Sequence, residues 1–188
     1  LSGIAEYRDA DTGEHIKRVS RVSEVLASAM GLSPDRAELI KYASPMHDVG
    51  KVAIPDAILL KPGHLTAEQR RVMQRHTVIG AEILGRPEDD VLAQAREVAL
   101  FHHERWDGQG YPNGVSGEDI PLCGRIVGLA DVFDAVVSRR CYKDACSLDV
   151  AMDIVHNDSG RHFDPAVVEA FDAHLDLVLP SYPELKAA

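Results

Sequence analysis

The chain has 188 residues and a formal net charge of −10, with 45% hydrophobic and 27% charged residues, the make-up of one globular domain with a sizeable core. The acidic balance excludes a nucleic-acid polymer as the expected partner, although bound metal and a few bases would let a small anionic substrate approach. No apolar run is long enough to span a bilayer, and no signal peptide opens the sequence.

Helical periodicity dominates from the start. Ile16, Val19, Val22, Leu26 and Met30 recur at helical spacing, and Gly31 follows at a C′ position. Ser33-Pro34 reads as the N-cap and first position of a second helix. Ala37, Ile40, Ala43 and His47 share one face of it, and Pro45 is expected to kink it just before His47-Asp48. The stretch KVAIPDAILLKPGHL reads as a loop with short turns. Thr66 and Gln69 form a capping box for a helix that continues through Val72, Met73, His76, Ile79, Gly80 and Ile83. A further helix covers about Asp90 to His103, a Gly-rich loop runs from Glu104 to Arg125, and Arg125 to Val137 is helical again. Ser147 caps the next helix, and Asp164-Pro165 starts the last. No segment alternates as a strand. The expected class is all-α, an irregular helical bundle forming a single domain over residues 1–188, with a loop of the length that usually carries function.

Nine histidines are present, and five of them, His15, His47, His76, His102 and His103, fall on or at the end of predicted helices. Any one alone reads as an ordinary core histidine. Five turned toward one core would need five separate partners, since an unpaired buried polar group costs about 1–3 kcal/mol, and one metal cluster satisfies them together. Asp48 stands beside His47, and Asp131 lies on the helix after the loop. His and Asp without Cys form an N/O ligand set, suited to Fe, Mn, Ni or Zn rather than to a structural thiolate zinc. Adjacent helical residues point about 100° apart, so His47-Asp48 and His102-His103 reach one site only if it is wide or lies at a helix end. Two adjacent pairs plus single residues suggest two metals with Asp48 as the bridge. Metals about 3.5–4 Å apart activate a water and clamp a phosphoryl displacement. Cys123, Cys141 and Cys146 form no CxxC and no even framework, which fits idle thiols in a reducing cytosol.

The segment MHDVGK, from Met46 to Lys51, resembles the signature of the HD metal-dependent phosphohydrolases, and HHERWDGQGYP, from His102 to Pro112, resembles the hallmark of their HD-GYP subgroup. The likeness extends through RDADTGEHIKR, RHTVIGAEIL, RIVGLADVFDAVVSRRCYK and GRHFDP, nearly the whole chain. It implies a helical HD domain of the bacterial cytoplasm. The implied reaction is hydrolysis of cyclic-di-GMP to pGpG, and in some members to GMP, by a metal-activated hydroxide. Carried over position by position, His15, His47, Asp48, His76, His102, His103 and Asp131 match the metal ligands, with Asp48 the bridge. Lys51 matches the lysine beside the centre, and Tyr111, Arg140 and Lys143 match positions that hold the dinucleotide. Some members complete a third metal site with a glutamate four residues before the first histidine ligand. Here that position is Asp11, one methylene shorter, so a binuclear Fe or Mn centre is the expectation. Members commonly sit behind a receiver or sensor domain, and the first residue here is Leu1, which reads as a fragment of a longer protein.

Within the hallmark segment, Gly108 and Gly110 read as positions of positive φ and close backbone approach. Glu104 and Asp107 either orient ligand imidazoles or cap the helix end and the turn. Tyr111 offers a ring for a guanine base, or anchors the loop in the core. Lys51 has a competing reading as a salt bridge to a ligand carboxylate, and Asp134, one turn after Asp131, is either a support for a ligand or an ordinary polar residue. His64, His156, His162 and His174 are not expected to be ligands. Two rival functions remain open: a signalling module acting through protein partners at the Gly-Tyr-Pro loop, and an HD hydrolase of another nucleotide.

Overall fold

The computed structural model describes residues 13–86, 88–138 and 147–186. Helix α1 (Gly13–Ala29) turns His15, Val19, Val22, Val25 and Leu26 to the interior. It ends where Gly31 takes φ +80°, with Leu32 N–H donating to the Ala27 carbonyl at 3.1 Å, because a left-handed residue there costs least as glycine. Helix α2 (Pro34–Ala43) starts at the Ser33 cap, whose side chain accepts from Arg36 N–H, and buries Ala37, Ile40 and Ala43.

Pro45 does more than kink this helix. The α-helix stops at Ala43, and tight 3-10 turns succeed it over Ser44–Met46 and Val49–Ala53. Proline has no N–H to give and crowds the carbonyl four residues back. His47 and Asp48 therefore lie in the turn between two 3-10 segments. That turn resolves how neighbouring residues reach one site, which a straight α-helix would not allow.

Short helix α3 (Asp56–Leu59) breaks the predicted loop. The Thr66–Gln69 capping box opens α4 (Ala67–Gln74) with both reciprocal bonds made. The predicted continuous helix is interrupted at Arg75, and α5 (His76–Leu84) begins at the candidate ligand itself. Helix α6 (Asp90–Phe101), capped by Asp89, ends one residue before His102. Helix α7 (Leu122–Val137) begins three residues earlier than expected, directly after Pro121, whose fixed φ suits the position before a helix.

Helix α7 is the axis of the bundle, and α1, α6, α8 (Leu148–Asn157) and α9 (Pro165–Ala173) pack around it. Phe133 at its centre is fully buried and meets Phe171 and Tyr182 edge-on, with ring centroids 4.8 and 5.3 Å apart. The helix started by Asp164-Pro165 is not the last: α10 (Leu175–Val178) and two 3-10 turns carry the chain on and bury Tyr182. Among the described residues there is no strand, only an isolated bridge between Ser159 and Phe163. No described helix is long and apolar enough to cross a membrane.

Candidate metal centre

Five segments deliver side chains to one site beside the middle of α7. His15 comes from the first turn of α1, His47, Asp48 and Lys51 from the paired 3-10 turns, and His76 from the start of α5. His102 and His103 come from the end of α6, and Asp131 from α7. They form two groups of ligand atoms, each within 4.8 Å: Asp48, His76, His102 and His103 in one, and His15, His47 and Asp131 in the other. His15, His47, His76 and His102 are all buried to 3% exposure or less.

Four of the rings are oriented by the nitrogen that points away from the site. Nδ1 of His47 contacts the Ser44 carbonyl at 2.8 Å, that of His76 the Met73 carbonyl at 2.8 Å, and that of His102 the Val98 carbonyl at 3.0 Å. A carbonyl only accepts, so each Nδ1 carries a proton, and each Nε2 points inward with a lone pair to offer when its ring is neutral. His15 Nδ1 is held by the Asp134 carboxylate at 2.7 Å.

Asp48 stands between the groups. Its Oδ1 lies 3.1 Å from His76 Nε2 and 3.7 Å from His102 Nε2, while Oδ2 lies 3.3 Å from His47 Nε2 and 2.7 Å from Lys51 Nζ. Burial alone would raise the Asp48 carboxyl, but the Lys51 ammonium and then His47 outweigh it and hold it well below the usual carboxylate range. Burial pushes His47 down, yet Asp48 and then Asp131 lift it to about 9. Burial and the neighbouring imidazoles keep His103 well below its ordinary value, neutral and with a lone pair available.

These residues fit a metal. Nε2 of His15, His47, His76 and His102 and Oδ1 of Asp48 are buried with no hydrogen-bond partner. Each would cost about 1–3 kcal/mol if left so, and five together rival the ~5–15 kcal/mol by which a whole domain is stable. A cation on this N/O set satisfies all of them at once.

The loop after α6 forms one wall. Glu104, buried, accepts from Asn113 N–H at 2.7 Å and Gly114 N–H at 3.1 Å. Asp107 accepts from Gln109 N–H and pairs with Arg105. Both acids therefore shape the loop, and no described bond joins either to a ligand imidazole. The predicted positive φ holds for Gly108 at +75° but not for Gly110. Gly110 is required for another reason: any Cβ there would run into the Glu104–Arg105 backbone. Tyr111, half-buried, stacks on His103 with centroids 4.8 Å apart and planes 28° apart, and its peptide to Pro112 is cis. Glu104→Ala is expected to lower unfolding free energy by about 1–3 kcal/mol, because two loop amides lose their acceptor. Denaturant melts of the two proteins measure this, and equal midpoints would contradict it.

Asp11, Arg140 and Lys143 lie outside the described residues. His64 is exposed, His156 pairs with Asp172, His162 stacks on Phe163 and His174 bonds the Ala170 carbonyl, so none joins the cluster. Sequence reasoning passed over Arg18, which grips Asp134 with two nitrogens. The matching three-residue steps His15–Arg18 and Asp131–Asp134 were the available signal.

The HD domain family matches residues 1–167 of the chain. The chain belongs to the HD domain family. With His102-His103-Glu104 and Gly110-Tyr111-Pro112 it carries the marks of the HD-GYP branch. This HD domain is 50% identical over 184 residues to a protein of Vibrio cholerae named cyclic di-GMP phosphodiesterase, covering 91% of this chain and 37% of the relative. It is 48% identical to one of the same name from Thermotoga maritima, covering 91% of this chain and 46% of that protein. A Vibrio cholerae 3'3'-cGAMP-specific phosphodiesterase is 47% identical, with 94% of this chain and 34% of the relative covered. The chain thus spans less than half the length of these relatives. Among solved structures, a cyclic GMP-AMP specific phosphodiesterase of Vibrio cholerae superposes with a TM-score of 0.67 at 18% identity, covering 97% of this chain and 51% of that one. An HDG"Y"P protein of Bdellovibrio bacteriovorus gives 0.66 at 20% identity, covering 86% and 51%. These two likenesses establish the HD fold.

Proposed function

We propose that this HD domain is a metal-dependent phosphodiesterase that hydrolyses cyclic di-GMP to pGpG and, with a second cut, to GMP. The observation that carries the reading is the set of five buried, partnerless ligand atoms on His15, His47, Asp48, His76 and His102. Relatives at 48–50% identity named cyclic di-GMP phosphodiesterases support the substrate. In this reading His15, His47 and Asp131 hold one ion and Asp48, His76, His102 and His103 a second, with Asp48 turning an oxygen toward each group. Fe and Mn suit the donor set. When bound, such ions polarise a phosphoryl oxygen and lower the pKa of a water.

The chain's own groups do the rest. Lys51, 2.7 Å from Asp48, keeps that carboxylate ionised and offers its ammonium to charge developing on the phosphate oxygens. The Tyr111 ring, held on His103, gives a guanine base a surface to stack on, worth about 1–3 kcal/mol. Arg140 and Lys143 are assigned to a phosphate of the dinucleotide, and Asp11 to any third ion. The reading carries with it a bacterial cytoplasmic location, supported by three cysteines that form no paired framework. A second substrate, 3'3'-cGAMP, is favoured by the relative at 47% identity.

The test uses protein purified without oxygen and loaded separately with Fe(II) and Mn(II). It is offered both cyclic dinucleotides, and products are resolved by chromatography. Metal-dependent pGpG or GMP is expected, with cyclic di-GMP turned over faster. Neither nucleotide being cut by metal-filled protein would sink the proposal. In the same assay Lys51→Met, compared at equal bound metal, is expected to lower kcat by about 10²–10³.

A further inference from the structure

The rings of the candidate centre are not all oriented in the same way. His47, His76 and His102 each use a backbone carbonyl three or four residues earlier in their own turn. His15 reaches 119 residues along the chain instead, to Asp134 on α7. Asp134 is fully buried. Its Oδ1 accepts from Arg18 Nε, and its Oδ2 from His15 Nδ1 at 2.7 Å, Arg18 Nη2 at 3.1 Å and Ser138 Oγ at 3.3 Å. Ser138 Oγ is itself held by Arg18 Nη2 at 2.9 Å.

Every group around this carboxylate acts as a donor, and an ionised carboxylate only accepts. The proton between His15 and Asp134 therefore sits on Nδ1, and the His15 lone pair sits on Nε2. That Nε2 is buried without a hydrogen-bond partner and lies 3.6 Å from Asp131 Oδ1. Asp131 and Asp134 are one helical turn apart on α7, so the helix presents one carboxylate to the site and one behind His15. The anchors of the other three rings are main-chain atoms, which no substitution removes. Asp134 is a side-chain anchor, and so the orientation of His15 is separately adjustable.

We infer that Asp134 is the positioning residue of the His15–His47–Asp131 half of the centre. It fixes His15 as the Nδ1–H tautomer and aims Nε2 at the ion. Occupancy of this half is thereby set apart from that of the Asp48–His76–His102–His103 half. The inference rests on the binuclear reading proposed above.

The experiment compares the wild-type chain, His15→Ala and Asp134→Asn. Mn(II) is titrated into each under anaerobic conditions, and bound metal is counted after gel filtration. The tautomer of His15 is read by ¹⁵N NMR of the metal-free protein, where no bound ion dictates which nitrogen carries the proton, a signature that a purely structural role would leave unmoved. Wild type is expected to hold two ions. Asp134→Asn is expected to bind the second about 10–100-fold more weakly, the usual cost of losing such an outer partner, and to lose the pure Nδ1–H signature. The first ion stays bound with unchanged affinity. Circular dichroism checks the fold. If the Asn variant is unfolded, Asp134→Ser, which leaves room for a water between Arg18 and His15, enters the same titration with the same outcomes. Two ions bound at wild-type affinity with an unchanged His15 tautomer would overturn the inference alone. A wild-type chain that never takes a second ion, or a His15→Ala chain that keeps both, would overturn the binuclear reading and this inference with it.

Discussion

Asp48→Asn is expected to empty the centre and to reduce turnover by at least about 10³-fold. The substitution keeps the shape of the side chain and removes its charge. A unit charge about 4 Å away is worth about 4 kcal/mol at an effective dielectric of ~20, a factor of about 10³ in binding. Asp48 faces both ligand groups: Oδ1 lies toward His76 and His102, and Oδ2 toward His47, with Lys51 beside it. One substitution therefore withdraws a donor from both halves at once, whereas Asp134→Asn touches one half only. Metal content by elemental analysis and cyclic di-GMP turnover measure the effect together. A variant that kept its metal and more than a tenth of wild-type turnover would remove Asp48 from the bridging role.

Gly50→Ala is expected to lower the melting temperature by about 6–12 °C and to cost the protein its metal, although Gly50 is no ligand. The added Cβ would overlap the His76 carbonyl oxygen and lie 2.5 Å from the Gly80 nitrogen. Both are main-chain atoms of α5 and cannot rotate aside. The Val49–Ala53 turn must instead move away from α5, and with it go Lys51 and the preceding Asp48 on one side of the contact, while His76 sits on the other. Overpacking of this kind costs about 3 kcal/mol, which for a domain of this size corresponds to about 2–4 °C per kcal/mol. A calorimetric scan within 2 °C of wild type, with metal retained, would show that the close approach is dispensable.

Much of this protein is legible in its linear order because the signals are local. The Ser33, Thr66, Ser147 and Asp164 caps act within three residues of themselves, and each is made as expected. The histidines stand out by residue type, since five imidazoles at helix ends have few other uses, and the HHE and Gly-Tyr-Pro segments carry the family in contiguous residues. Element ends were harder. Whether Pro45 bends a helix or ends it depends on whether residues 46–53 can close tighter turns, and here two 3-10 segments do so and pack against α5 and α6.

Other features had no local signal. The choice between the two readings of Glu104 turned on which atoms the folded loop brings to it, and these proved to be amides nine and ten residues ahead. Gly50 reads as a small residue in a motif until α5 is laid against it. Asp134 reads as one more polar residue on a helix until α1 crosses α7 and sets His15 and Arg18 over it. By itself the sequence determined the helical class, the caps of four helices and the chemical kinds of donor available, because caps and periodicity are settled within a turn or two of chain. Only the tertiary structure decided which donors come together and what holds each of them in place. Those pairings join residues as far apart in the chain as His15 and Asp134, and only the packing of the core selects them.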